Sequence, residues 1–254
     1  MKLTFLGTGT STGVPQIGCN CAVCSSPDPR EKRLRASVLV EVTPGFNLII
    51  DCGPDFREQM LRVSSPSLQG VLLTHSHYDH VGGIDDLRPY CYPDSFPVYC
   101  QADVAQDLRE RVPYCFREHL YPGVPTFNIH IIKPDENFSV EGVRVTPLPV
   151  MHARLPIVGF RIGDLAYITD CSEMPAATLE KIKGVDTLVI NALRRAPHMS
   201  HMNLQQALEV INAATPRRAY LTHLSHDMGL IDDTVPLLPD NVHIATDGTT
   251  ITIP

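Results

Sequence analysis

Four residues that favour divalent metal ions, His75, His77, Asp79 and His80, fall within six consecutive positions just after the apolar run Val71-Leu72-Leu73. Neutral imidazoles and a carboxylate are preferred ligands of zinc and related ions, and ligands so close in sequence need a rigid support to share a target. A solvated surface turn has no reason to concentrate His and Asp at this spacing. The segment therefore predicts a dinuclear metal site carried at a strand end, and any fold for this chain has to bring further ligands to that end.

The chain is long enough to build such a fold. Its 254 residues, 43% apolar and 19% charged, can bury a substantial core as one large domain spanning 1–254. The net charge of −7 argues against binding nucleic acid through a broad basic surface. Bound metals and a few arginines can still reverse the field inside one pocket, so a small anionic substrate fits. The opening Met1-Lys2-Leu3-Thr4-Phe5 reads as a strand rather than a signal peptide, and no apolar run is long enough to span a membrane. The expected compartment is the cytoplasm, with no membrane partner.

The eight cysteines do not form the pattern of a small disulfide-rich framework. Cys19, Cys21 and Cys24 form a Cys-x-Cys-x-x-Cys knot beside Gly18, too tight for comfortable disulfide pairing. Thiolate ligation of a metal is the better reading, with three reduced thiols in a loop as the alternative. A tetrahedral zinc would need a fourth ligand from elsewhere in the chain. Cys52, Cys91, Cys100, Cys115 and Cys171 read as small buried apolar residues.

Extended runs are expected at 3–6, 37–42, 48–51, 71–74, 98–100, 127–132, 143–149, 158–162, 166–169, 187–190, 219–222, 242–245 and 250–253. Helices are expected at 55–62, 104–111, 176–183 and 204–214. The last has the clearest pattern: Asn203 can cap it, Gln206 stands three residues on, and Leu204, Ala207, Leu208 and Ile211 form an apolar stripe. Many short strands flanked by helices indicate layered α/β or α+β packing rather than a bundle. Further ligand candidates follow strands in the second half: His152, Asp170 and His223. Singly, each is compatible with a capping or turn role. Together with the first cluster they make seven ligands, about what two metal ions need while leaving positions open.

At this point the chain resembles the metallo-β-lactamase superfamily, through His75-x-His77-x-Asp79-His80 followed in order by His152, Asp170 and His223, with Gly7-Thr8-Gly9 and Asp51-Cys52-Gly53 also similar to its pattern. The resemblance implies a four-layer αββα sandwich. It implies that His75, His77 and His152 hold one divalent ion, manganese or zinc, that Asp79, His80 and His223 hold another, and that Asp170 bridges them. The cysteine knot together with Leu221-Thr222-His223-Leu224-Ser225-His226 is similar to the PhnP-type branch, in which His226 would complete a structural zinc site with Cys19, Cys21 and Cys24.

For that branch the resemblance implies hydrolysis of a small, possibly cyclic, phosphodiester by a water activated between the two ions. His201 would act as general acid, with Asp170 and Asp79 also in the catalytic centre. Arg194 or Arg195, with His198 nearby, would face the phosphoryl group. Asn191 stands where relatives often have an aspartate. Two other readings share the ligand set: a thioester or lactone hydrolase, and an accessory protein similar to the pyrroloquinoline quinone biosynthesis member. Transfer RNA 3′-processing nucleases are similar in motif, but this chain lacks a Gly/Pro/Lys-rich insertion to grip RNA, so no stable nucleic-acid partner is expected. Similar enzymes commonly form homodimers. The 87–121 segment, with Tyr90, Tyr92, Arg111, Tyr114 and Arg117, is a candidate pocket wall, with surface packing the alternative for most of these side chains.

Overall fold

Alternation of apolar side chains to both faces of the strands dictates the architecture, because each sheet must then be covered twice. In the computed structural model, which describes residues 1–120 and 122–254, two seven-stranded mixed sheets stack face to face. The first contains β1 (Lys2–Gly7), β2 (Ser37–Thr43), β3 (Phe46–Ile50), β4 (Gly70–Leu72), β5 (Phe96–Cys100), β6 (Phe127–Ile131) and the late strand at Thr250–Thr252, in the order 250–252, β1, β2, β3, β4, β5, β6. The second contains β7 (Phe138–Val140), β8 (Val143–His152), β9 (Leu155–Ile162), β10 (Leu165–Ile168), β11 (Thr187–Asn191), β12 (Arg218–Thr222) and β13 (Val242–Ile244), in the order β13 to β7; the strand at Thr250–Thr252 is β14.

Each sheet is parallel on one side and antiparallel on the other. β3, β4, β5 and β6 pair in parallel, as do β10, β11, β12 and β13. Val38, Val40, Leu48, Ile50 and Leu72 meet Val158, Phe160, Ile162, Tyr167 and Val189 between the sheets. The alternate residues face outward. Ile49, Val71 and Val98 pack beneath α1 (Phe56–Arg62) and the helix at Ala102–Arg111, while Ala166, Ile168, Leu188 and Ile190 pack beneath the helices at Ala176–Ile182 and Leu204–Ala214. The expected αββα sandwich is the fold.

In chain order the helices are α1, α2 (Tyr78–Val81), α3 (Ala102–Arg111), α4 (Ala176–Ile182), α5 (Leu204–Ala214) and α6 (Ile231–Thr234). The capping box expected for α5 is present: the Asn203 side chain accepts from Gln206 N, and the Gln206 side chain accepts from Asn203 N. A cap of this kind is worth about 1 kcal/mol. Among the described residues, α2, α6 and β7 were not expected from the sequence, each only three or four residues long and so too short to show a period, nor were the short 3-10 turns. No helix among the described residues is long and apolar enough to cross a membrane.

Candidate metal centre

The carboxyl ends of β3, β4, β8, β10 and β12 deliver the ligand-bearing residues to one edge of the sandwich, where strands diverge into loops. The first cluster does not sit on a strand end as expected. β4 stops at Leu72, a loop carries His75 and His77, and α2 carries Asp79 and His80. The helical turn is what aims two adjacent residues at one point, since in an extended chain they would face opposite ways. Gly53 permits the close approach of this segment: a Cβ there would lie 2.1 Å from the Asp79 carbonyl oxygen.

Two overlapping ligand sets result. His75, His77, His152 and Asp170 each offer one atom within 4.8 Å of the others, and so do Asp79, His80, Asp170 and His223. Asp170 belongs to both. Its Oδ1 lies 3.3 Å from His80 Nε2 and 3.0 Å from His223 Nδ1, and its Oδ2 lies 3.9 Å from His75 Nε2. Asp51, Asp170 and His223 all have φ near +60°, a region costly for residues with a Cβ, and such strain gathers at functional sites.

The buried polar atoms fit divalent cations. Among the described residues, His75 Nε2 and His80 Nε2 are sealed from solvent with no hydrogen-bond partner, a cost that a metal bond to each lone pair would remove. Burial and the neighbouring His80 push the His75 imidazole well below its ordinary value, and burial lowers His223 to about 4, so both rings are neutral ligands at pH 7. Burial opposes ionisation of Asp170, but His223 and His80 outweigh it and hold the carboxyl well below the usual range. Burial also opposes charge on His80, yet Asp170, Asp79 and Asp51 outweigh it. A cation bound at His80 Nε2 would take the place of the ring's second proton and answer the same buried carboxylates of Asp79 and Asp170.

Several supporting residues carry no role in the sequence reading. Asp51, fully buried, accepts from His80 Nδ1 at 2.7 Å and from the Thr74 hydroxyl and backbone N–H, each at 2.9 Å. His152 Nδ1 donates to the Ser200 carbonyl at 2.7 Å. Thr10 Oγ1 lies 3.2 Å from His223 Nε2. Such partners fix ring orientation and tautomer. The signal for Asp51 was its place directly after an apolar strand, mirroring Asp170. Nothing local marks Thr10, because its contact spans 213 residues.

His201 reaches the shared carboxylate, with Nε2 3.1 Å from Asp170 Oδ2, and His198 Nδ1 lies 3.3 Å from His201 Nδ1. The two arginines do not converge on it. Arg195 donates to the carbonyls of Met228 and Asp233 and to Thr234 Oγ1, clamping α6. Arg194 donates to the carbonyls of Ala196 and Pro197 and stands 3.7 Å from Asp227. In the structure each guanidinium is engaged by these acceptors and anchors its own loop. Asn191 is explained by its two-sided amide: Oδ1 accepts from Cys171 N at 2.8 Å and Nδ2 donates to Cys171 O at 3.0 Å, bracing the turn that presents Asp170.

Cys19, Cys21, Cys24 and His226 form a third ligand set. His226 Nδ1 lies 3.4 Å from Cys19 Sγ and 3.3 Å from Cys21 Sγ. The Cys24 backbone N–H and His226 lower the Cys21 thiol to about 6, which favours the thiolate a metal requires, while burial pushes Cys24 up to about 11. The loop bearing the cysteines is strapped to the His223 turn, with Thr10 N donating to Leu224 O and Leu224 N to Thr8 O. All eight cysteines are free, and of the remaining five only Cys91 is not fully buried. In the 87–121 segment, Tyr114 donates to Asp85 at 2.6 Å, and Arg111 donates to Ser76 O and lies over the Tyr78 ring beside the metal loop. The segment's last residue lies outside the described residues.

Comparison with known proteins agrees with this geometry. A model of the beta-lactamase superfamily domain matches residues 46–224. The octanoyltransferase of Porphyromonas gingivalis is 43% identical over 249 residues, which is 98% of this chain and 51% of that protein, so the chain spans about half the length of this relative. Coenzyme PQQ synthesis protein B of Pseudomonas fluorescens is 23% identical over 310 residues, covering 100% of each chain. Among solved structures, a new diphosphatase from the PhnP family superposes with a TM-score of 0.93 at 36% identity, covering 100% of this chain and 98% of that one. Zinc-bound PqqB from Methylobacterium extorquens shares the fold, with a TM-score of 0.80 at 20% identity and 100% of each chain covered.

Proposed function

This chain belongs to the metallo-β-lactamase superfamily, in its PhnP-type branch; on that premise we propose that it is a hydrolase of that fold that cleaves small phosphodiesters, cyclic ones among them, with residues 1–254 acting as one domain. One observation carries the reading. His201 Nε2 stands 3.1 Å from the carboxylate common to both ligand sets, where a proton donor would serve a poor alkoxide leaving group. The likeness to a PhnP-family diphosphatase at 36% identity supports phosphoryl chemistry.

The two His/Asp sets would hold two divalent cations, manganese or zinc, and the cysteine set one structural zinc. When bound, such cations lower the pKa of a water and offset charge on phosphoryl oxygens. The protein's own part is to fix geometry and move one proton. Asp170 spaces the two sets, Asp79 adds a carboxylate to the second, and Asp51 and the Ser200 carbonyl keep the His80 and His152 rings turned inward. A water oxygen bonds to phosphorus as the opposite P–O bond breaks and the water's surplus proton passes to solvent; the electron pair of the broken bond stays with the leaving oxygen, which takes the proton from His201 Nε2. His198 stands behind His201 rather than at the shared carboxylate.

We place the enzyme in the cytoplasm, acting on a small molecule without stable nucleic-acid or membrane partners, and as a homodimer. Gel shift with transfer RNA and light scattering test the last two points. The 43% identity to an octanoyltransferase favours a second reading, hydrolysis of a thioester or lactone. The deciding experiment assays bis(p-nitrophenyl) phosphate, a 2′,3′-cyclic nucleotide, a thioester and a lactone with manganese or zinc, using Asp170→Ala as control. Metal-dependent phosphodiester turnover absent from the control supports the proposal. Turnover of the thioester or lactone alone overturns it.

A further inference from the structure

We propose that Ser200 is a positioning residue that sets the ring of His201, and with it the ring of His152, for proton delivery at the metal centre; this rests on the phosphodiesterase reading above. All three polar groups of Ser200 meet histidines. Its carbonyl accepts from His152 Nδ1 at 2.7 Å, its hydroxyl lies 3.0 Å from His201 Nδ1 and 3.2 Å from His198 Nδ1, and its N–H donates to His198 Nδ1 at 3.3 Å. Among the described residues of the loop, no other is hydrogen-bonded both to a candidate ligand and to His201.

The hydrogen-bond inventory fixes how the group works. The Asp170 carboxylate only accepts, so His201 Nε2 carries the proton across their 3.1 Å contact. Terminal torsions of imidazole rings are broad, so a ring held at one nitrogen alone can swing. The Ser200 hydroxyl holds the second nitrogen, and because a hydroxyl both donates and accepts, it keeps that contact whether or not Nδ1 bears a proton. When the Ser200 oxygen accepts from His201, His198 Nδ1 is the acceptor for the hydroxyl proton. Ser200 itself gains and loses no proton in the reaction.

The loop is tied so that this placement is transmitted to the site. Met202 N donates to Cys171 O at 2.7 Å and Leu193 N to Met202 O at 2.9 Å, so the residue after His201 is bonded to the residue after Asp170. The carbonyl of Ser200 also leaves His152 Nε2 without a proton and free to act as a ligand. Replacing the side chain leaves that carbonyl in place, so a side-chain variant separates the effect on the acid from the effect on the ligand.

The experiment compares Ser200→Ala and Ser200→Thr with wild type on two phosphodiesters whose leaving groups differ in their need for a proton. A 2′,3′-cyclic nucleotide expels a ribose alkoxide, whereas bis(p-nitrophenyl) phosphate expels a stable phenolate. In Ser200→Ala, kcat on the cyclic nucleotide should fall about 10- to 100-fold, at least about fivefold more than on the aryl ester, with KM little changed. Ser200→Thr, which keeps the hydroxyl, should restore most of the loss. Equal losses on both substrates, or no rescue by threonine, overturn the proposal.

A second readout needs no turnover. In metal-free protein the ring ¹⁵N resonances of His201 should shift in Ser200→Ala and return in Ser200→Thr, and unchanged resonances overturn the contact. If wild type cleaves neither phosphodiester, the phosphodiesterase reading fails, while the ring resonances still decide whether Ser200 holds His201.

Discussion

The carboxylate of Asp51 accepts the Nδ1 proton of His80 across 2.7 Å, with both side chains sealed from solvent. That bond turns Nε2 of His80 toward Asp79 and Asp170, 3.1 Å and 3.3 Å away. Asp51→Ala should weaken divalent-ion affinity about 10- to 100-fold, as loss of ligand-orienting partners commonly does. Asp51→Asn should lose less, because asparagine tolerates the φ of 64° and keeps one acceptor. Competition against a chromogenic chelator measures both, and wild-type affinity in Asp51→Ala would confine the residue to a packing role.

His201→Ala should lower kcat on an alkyl phosphodiester by roughly 10²- to 10⁴-fold while leaving the metal content unchanged. The ring touches the site through Asp170 Oδ2 and belongs to neither ligand set. Elemental analysis beside the rate assay separates the two effects. Full activity in the variant would remove the acid role.

Cys24→Ser should cost the protein one equivalent of zinc and lower its thermal midpoint by on the order of 10 °C, since loss of a structural metal is among the large single-site effects. The thiol of Cys21 is held at about 6, below its free value of 9.0. Stabilisation by its thiolate is therefore present above the free value and lost as pH falls through about 6. Zinc release should begin at or below that pH, and a pH titration with a zinc-sensitive dye follows it.

Burial raises the Asp247 carboxyl from 3.8 to about 6, although it accepts from Leu34 N and the Thr8 hydroxyl, each at 2.7 Å. Between these values the unfolded chain has released the proton and the folded one keeps it, so the folded state is destabilised as pH rises toward 6. The cost levels off at about 3 kcal/mol above that. Urea unfolding of metal-free protein at pH 4.5 and 7 should show this contribution, and Asp247→Asn should abolish it. An identical pH slope in the variant would assign the effect to other groups.

Much of the architecture was legible because strands buried on both faces leave long apolar runs, and every extended run expected from the sequence became a strand. Helix α5 matched its expected bounds because an amphipathic stripe and a capping box agree. The missed elements α2, α6 and β7 have no periodic pattern of their own and exist because their surroundings hold them. For the ligands, density of His and Asp revealed the first cluster, and the succession of strand-end residues completed it. For the arginines, a cation near a site in sequence says nothing about which acceptors the folded chain offers it, and here the backbone carbonyls of Met228 and Asp233 accept from Arg195.

The sequence by itself determined the layered fold and the identity of the candidate ligands, because these follow from local periodicity and from chemistry that only certain side chains can perform. Tertiary structure alone decided the partners that aim them: Asp51 on His80, Thr10 on His223 and Ser200 on His152 join segments 29, 213 and 48 residues apart in the chain. A hydrogen bond between distant segments depends on where the folded backbone brings two atoms within about 3 Å, and neither residue carries a mark of that meeting in its own neighbourhood.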